Sequence, residues 1–383
     1  MRAPHGLENG PRLDVDAVLA NPEIRIVVCC GSGGVGKTTT AAALALRAAE
    51  EHGRRTVVLT IDPARRLAQS LGLTELDNTP RQVKGTHVDG GELQAMMLDM
   101  KRTFDEVVLQ HTDPKRAEEI FANPFYQAMS STFSGTQEYM AMEKLSQLRA
   151  RDEWDLIVVD TPPSRSALDF LDAPARLSRF LDGRMLRLLL APARAGGRSV
   201  FSLVSASFGL FSRTVTKILG TQLLSDLSGF VAALDSMFGG FRERAEQTYR
   251  VLQARETAFL VVASPEPDAI REASFFAGRL ADQRMPLHGL VLNRVHAVAA
   301  SGLSVADAMA AAEQLAGGDH QATADVLRIH AGLAAAVARE VEVTARFTAE
   351  HPEVPVVPVA AQPADVHDID GLRAIGAALA NAG

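Results

Sequence analysis

Short apolar runs alternate with longer helical patterns along this chain. Ile24–Cys30 (IRIVVCC), Thr56–Ile61 (TVVLTI), Leu156–Val159, Phe259–Ala263, Leu290–Leu292 and Val354–Val359 are runs of this kind, mostly β-branched. Continuous apolar runs without polar alternation predict strands buried on both faces, as in a parallel sheet covered by helices. The expected class is therefore α/β. The residues that end two of the runs, Asp62 and Asp160, then fall at the carboxyl edge of the sheet, where open α/β sheets bind ligands. Two stretches break the alternation. Leu93–Arg151 reads as helices without a strand, and Ser164–Arg255 is a second helical stretch. Both are too long for single crossovers. They predict a helical subdomain inserted at about 93–151 and 164–255 into one core spanning 23–383, with 1–22 a flexible N-terminal segment. Ala297–Thr344 is Ala-rich and polar, and reads as exposed helix. The last helical pattern is amphipathic through Leu372, Ile375 and Leu379. Its polar face carries Arg373 beside Asp368 and Asp370, so it suits packing on the sheet better than an anionic membrane surface.

The first strand runs into GSGGVGKTTT at residues 31–40, followed by the helical run AAALALRAAE. Gly31, Gly36, Lys37 and Thr38 fit G-x-x-x-x-G-K-[ST], in the strand–loop–helix setting that this phosphate-binding motif requires. Glycines let successive backbone N–H groups curl round phosphate oxygens, and the helix start adds its positive end. The loop residues Gly31, Ser32, Gly33, Gly34, Val35, Gly36, Lys37, Thr38 and Thr39 are the candidate nucleotide cradle. Lys37 would reach the β- and γ-phosphates, and the Thr38 hydroxyl would ligate Mg²⁺. Asp160 stands where such proteins hold Mg²⁺ through a carboxylate. Asp62 precedes Pro63, so it is a candidate helix N-cap as well as a site residue. The expected fold is thus a P-loop NTPase, with ATP and Mg²⁺ as cofactors.

Composition narrows the setting. Hydrophobic residues make up 47% and charged residues 22%, enough for a substantial core, and the net charge of −7 gives no support to a nucleic-acid partner. The two cysteines, Cys29 and Cys30, are adjacent on one strand and point to opposite faces, which disfavours a disulfide between them. No cysteine zinc site or arsenite-binding cysteine triad can be built from them. The N-terminus MRAPHGLENGPRLD has no apolar signal core, and Ser199–Phe211 is too short to span a membrane. A cytoplasmic protein is expected, peripheral to a membrane only through a partner. Met96, Met97, Met100, Met129, Met140 and Met142 read as core packing before they read as an adaptable surface.

Four segments occur in order: GGVGKTTT, TIDPARRLAQSLG, GTQEYMAMEKL and VVDTPPSRSALDFLDAP. Together they resemble the arsenical-pump-driving and tail-anchored-protein-targeting ATPases, especially the actinobacterial anion-transporting branch, over roughly Ile24–Ala380. The resemblance implies a dimeric ATPase whose helical subdomain changes shape with nucleotide state. It implies that Asp62 positions the attacking water and that Asp160, with Thr161–Ser166, forms a second switch. It further implies that Asn293 binds the adenine base, that Val356–Pro363 (with Pro358 and Val359) flanks it, and that Glu266 contacts nucleotide near a dimer interface. The chain departs from the family pattern at three places. Ser32 stands where the family carries a lysine that reaches the partner's phosphates, Arg165 stands where it carries glycine, and no CxxC follows Asn293. Arg165 is a candidate replacement for the missing cation. Phe- and Leu-rich helices over 186–234 could form a groove for an apolar client.

The expected activity is Mg-dependent ATP hydrolysis, with Lys37 and Asp62 catalytic and Thr38 and Asp160 holding the metal. Hydrolysis would energise anion transport or client handling. The partners expected are ATP and ADP, a second copy or a paralogous ATPase, and a membrane-protein or hydrophobic client. The alternative is a weakly hydrolysing, nucleotide-sensing regulatory half of a heterodimer.

Overall fold

The computed structural model describes residues 10–62, 66–86, 91–124, 126–127, 136–162 and 246–381. The chain divides into two units: Met1–Met97, Leu148–Leu168 and Val251–Gly383 form the first, and Leu98–Gln147 with Asp169–Arg250 the second.

The first unit is built on an eight-stranded sheet. Its strands are β1 Ile26–Cys30, β2 Arg55–Thr60, β3 Arg81–Gln82, β4 Glu92–Met97, β5 Leu156–Asp160, β6 Thr257–Ala263, β7 Leu287–Val295 and β8 Val356–Ala360. They lie in the order β3-β4-β2-β5-β1-β6-β7-β8. All neighbours pair in parallel except β3 and β4. The central strands β1, β5 and β6 are buried along their whole length. Their apolar runs therefore carry no alternation, because both faces are covered. The expected α/β architecture is the one observed.

The helices of this unit that matter for the site are α1 Val15–Ala20, α2 Lys37–Glu50 and α3 Arg66–Ser70. Within α2, Ala41, Ala42, Ala43, Ala45, Ala48 and Ala49 are all fully buried. Small side chains there let the helix lie close against the sheet, and this fixes the direction in which its first turn points.

Two expectations are corrected. Leu93–Arg151 does contain a strand: β4 pairs residue for residue with β2, from Arg55↔Glu92 to Thr60↔Met97. ELQAMM is made of good helix formers, so the local preference pointed the wrong way and sheet pairing overrode it. The N-terminal segment is also packed from Leu13 onward. Leu13, Val15, Val18 and Leu19 are buried in the sheet's core, and Asp14 caps α1 by accepting a hydrogen bond from the Ala17 N–H at 2.9 Å. Arg54 donates to the Leu19, Asn21 and Ile24 carbonyls at 2.9, 3.2 and 2.6 Å, tying this segment to the amino edge of the sheet.

The described part of the second unit is helical, with α4 Met100–His111, α5 Pro114–Ala122 and most of α6 Thr136–Arg151. Asp99 and Asp113 cap the first two helices through the Arg102 and Arg116 N–H groups. Phe104, Val107, Ile120, Tyr126, Met140 and Met142 are buried. Residues 163–245, with Arg165 and the 186–234 groove, lie outside the described residues, as does Met129. In the first unit the remaining helices are α7 Pro267–Asp282, α8 Val305–Leu315, α9 Gln321–Glu350 and α10 Ile369–Asn381. Helix α10 buries Leu372, Ile375 and Leu379.

Candidate active site

The glycine loop leaves the carboxyl end of β1 and enters α2. Gly31 and Gly36 have φ of +151° and +94°. A Cβ at Gly31 would meet the Val262 carbonyl oxygen at 2.1 Å, and one at Gly36 would meet the Asn293 Nδ2 at 2.3 Å. Backbone conformation and close approach thus demand glycine at both positions. The Gly36 carbonyl accepts the first helical bond, from the Thr40 N–H at 2.9 Å.

Lys37 is buried, and its ammonium donates to the Ser32 carbonyl oxygen at 2.7 Å, back across the loop. Burial lowers its pKa, while the negative charge of Asp160 works against that shift. The Ser32 hydroxyl is buried with no hydrogen-bond partner.

Asp160 ends β5 level with Cys29 on β1 and Thr60 on β2. Its Oδ2 accepts hydrogen bonds from the Thr38 and Thr60 hydroxyls at 2.8 and 2.9 Å. Its Oδ1 is buried without a partner. Burial pushes its pKa up to about 6, against the pull of the Thr38 and Thr60 hydroxyls and of Lys37. At neutral pH it is therefore mostly ionised. A buried carboxylate oxygen without a partner, beside a threonine hydroxyl, is a hard-oxygen arrangement suited to Mg²⁺, which prefers one or two protein oxygens plus substrate phosphates to a full protein cage.

A cleft of about 810 Å³ opens at this edge. Gly34, Gly36, Lys37, Thr38 and Thr39 line its floor, and Asp62 and Thr161 are on its wall. Among the described residues, those that line it belong to the first unit. The cleft thus gathers half of the site residues singled out in the sequence: Gly34, Gly36, Lys37, Thr38, Thr39, Asp62 and Asn293. Asn293 also lines it, but its amide is engaged: Nδ2 donates to the Val35 carbonyl oxygen at 2.9 Å, and Oδ1 accepts from the Arg294 N–H at 2.9 Å. Asn293 therefore braces the phosphate loop against β7.

One expectation is corrected by this geometry. Pro358 and Val359 do not line the cleft; Val359 is part of the core, and the chain reaches the cavity only beyond β8, from Ala361 to His367. Glu266 is exposed at the start of α7, away from the lining. The helix start that Asp62 might cap spans residues 63–65, outside the described residues.

The structure adds residues that sequence reasoning passed over. Arg66 and Gln69 line the cleft from α3, and Arg294 and His296 line it from the end of β7. Arg294 has φ +61° beside a register shift in the β7–β8 pairing, a bulge that turns the strand end toward the cavity. His296 Nδ1 lies 2.5 Å from Glu340 Oε1 on α9. Ala361, Gln362 and Pro363 belong to the segment Val356–Pro363 already singled out, and the rule that ligands sit beyond the carboxyl ends of strands would have extended it to His367. Nothing in the sequence marked Arg66 or Arg294 apart from its neighbours.

A glycine loop between a buried strand and an alanine-rich helix, with a buried aspartate on the adjacent strand, defines a P-loop NTPase. The family model for anion-transporting ATPases (ArsA) matches residues 24–303. The chain belongs to that family and is an ATPase that binds nucleotide. It is 25% identical over 283 residues to the ATPase ASNA1 homolog 1 of Paramecium tetraurelia, covering 73% of this chain and 77% of that protein. It is 31% identical over 196 residues to a putative arsenical pump-driving ATPase of Halobacterium salinarum, covering 48% of this chain and 29% of that one. It is 28% identical over 164 residues to the ATPase GET3 of Malassezia globosa, covering 43% and 46%. Among the described residues no helix is long and apolar enough to cross a membrane.

Proposed function

We propose that this chain binds ATP with Mg²⁺ in the cleft and couples its hydrolysis to a rearrangement of a helical subdomain, energising anion transport or the handling of a hydrophobic client. The observation that carries the site assignment is Asp160, which accepts the Thr38 hydroxyl on one oxygen while the other is buried and unpartnered. Thr38 and Asp160 would hold the metal, and bound Mg²⁺ would neutralise charge on the β- and γ-phosphates. The chain's own residues do the rest. Lys37, whose buried ammonium donates to the Ser32 carbonyl oxygen, would bind the β- and γ-phosphate oxygens. Asp62, on the cleft wall, accepts a hydrogen bond from the attacking water and aims it at the γ-phosphate. The loop amides and the start of α2 take the remaining phosphate oxygens.

The second unit, Leu98–Gln147 with Asp169–Arg250, is the proposed moving part, and the protein works in the cytoplasm as a dimer with itself or with a paralogous ATPase. Ser32 favours the second arrangement, because an uncharged hydroxyl cannot serve as a phosphate-binding cation for a partner. Steady-state hydrolysis by the isolated chain, then with the paralogue added, separates the readings. Mg-dependent turnover by the isolated chain supports an autonomous ATPase. Turnover that appears only with the paralogue supports the regulatory half.

A further inference from the structure

We infer that Arg66 is a catalytic residue, whose guanidinium binds the terminal phosphate of ATP held by its own chain. The inference rests on the proposed reaction and names a second cation for it.

Arg66 lines the same cleft as Lys37, Thr38 and Asp62. It is exposed there, and its guanidinium has no hydrogen-bond or ion-pair partner among the described residues. It follows Asp62 by four residues, so the water-orienting carboxylate and the cation come from one short segment after β2.

Sheet order says which end of the nucleotide that segment meets. Neighbouring strands lie about 4.8 Å apart, so loops leaving β2 and loops leaving β7 and β8 flank the glycine loop on opposite sides. Asp160, the candidate metal carboxylate, ends β5, which lies between β1 and β2. Thr38 and Asp160 would hold the metal there, and its charge would draw the terminal phosphates of ATP to that flank. The β7–β8 flank, with Asn293 and the 361–367 segment, is left for ribose and base. Arg66 is then beside the γ-phosphate, and Arg294 is not.

Charge completes the argument. Two carboxylates, Asp62 and Asp160, border a polyanion, and Lys37 is the cation built into the loop beneath it. Phosphoryl transfer spreads negative charge over three equatorial oxygens, and a guanidinium fork matches two of them at once.

The test compares wild type, Arg66→Ala, Arg66→Lys and Arg165→Ala for ATP turnover, and for binding of ADP and of ADP with aluminium fluoride. In Arg66→Ala, kcat is expected to fall on the order of 10³-fold, the scale of a lost arginine finger. ADP affinity should change by less than about threefold, since ADP lacks the phosphate in question, while affinity for the aluminium fluoride complex should collapse. Arg66→Lys should recover only part of the rate, because an ammonium lacks the fork. Mixing Arg66→Ala with Asp62→Asn chains should restore nothing, because both groups serve the same site. Restoration on mixing would place the arginine in the partner's site and overturn the assignment to its own chain. An Arg66→Ala enzyme with normal turnover, or one outpaced in its loss by Arg165→Ala, would overturn the role of Arg66 and leave the proposed function standing. A wild type with no turnover, alone or with a paralogue, would remove the proposed reaction itself.

Discussion

At the scale of single residues, the site depends on two buried charges, Lys37 and Asp160. Lys37 sits on the Ser32 carbonyl, and Asp160 holds the Thr38 hydroxyl. Lys37 would add phosphate oxygens to its contacts, and Asp160, whose Oδ1 is buried without a partner, would add the metal. Lys37→Ala removes the phosphate-facing cation. In the wild type, Mg-ATP at 100 times Kd should add about 2.7 kcal/mol of stability, and in Lys37→Ala at the same concentration nearly none. Thermal unfolding with and without Mg-ATP measures this; a normal rise in the Tm of the variant would contradict the loop's assignment. Lys37, Thr38, Asp62 and Asp160 were legible in the sequence because their chemistry is tied to a fixed spacing and to strand ends. Arg66 and Arg294 were not. An arginine carries no sign of which way it points, and only the folding of α3 and the bulge at β7 brings the two to the cleft.

At the scale of elements, the strands buried on both faces were readable from their apolar runs, to within a residue or two for β1, β2, β5 and β6. β4 was not, because Leu, Gln, Ala and Met suit a helix as well as a strand, and its partner β2 is distant in sequence. The N-terminal helix was missed for another reason. Six residues carry too little periodicity to stand out, and their stability comes from burial against the sheet. Leu19 is fully buried. Leu19→Ala should therefore cost about 2–5 kcal/mol in denaturant unfolding. A loss below about 0.5 kcal/mol, the range of ordinary surface changes, would mean the segment is loose after all. The same helix is tied to α2 through Asp16, which accepts hydrogen bonds from Arg47 Nε and Nη2 at 2.7 Å each and lies 3.0 Å from His52 Nε2. The Arg47 hydrogen bonds lead the causes that lower the Asp16 pKa from 3.8 to about 2, against the effect of burial. Its folded value is depressed, so its contribution is present above pH 3.8 and lost as pH falls toward 2. Asp16→Asn should thus be less stable than wild type by roughly 1 kcal/mol or less at neutral pH, given the partial exposure of the pair. That gap should hold down to about pH 5 and shrink below it. A gap that widens on acidification would reverse the sign of the argument.

At the scale of the whole molecule, the described residues that line the cleft belong to the sheet unit. The nucleotide chemistry proposed for that unit is measured on the full chain. The most direct measurement is single-turnover phosphate release from Mg-ATP by wild type and Asp62→Asn, with ATP affinity measured in parallel. Wild type should release phosphate only with Mg²⁺ present. Asp62→Asn should bind ATP with unchanged affinity and release phosphate about 10² to 10⁴-fold more slowly, because it loses the group that orients the water and nothing that holds the nucleotide. Equal rates for the two proteins, or an equal loss of affinity and rate in the variant, would contradict the assignment of this cleft as the place where ATP is hydrolysed.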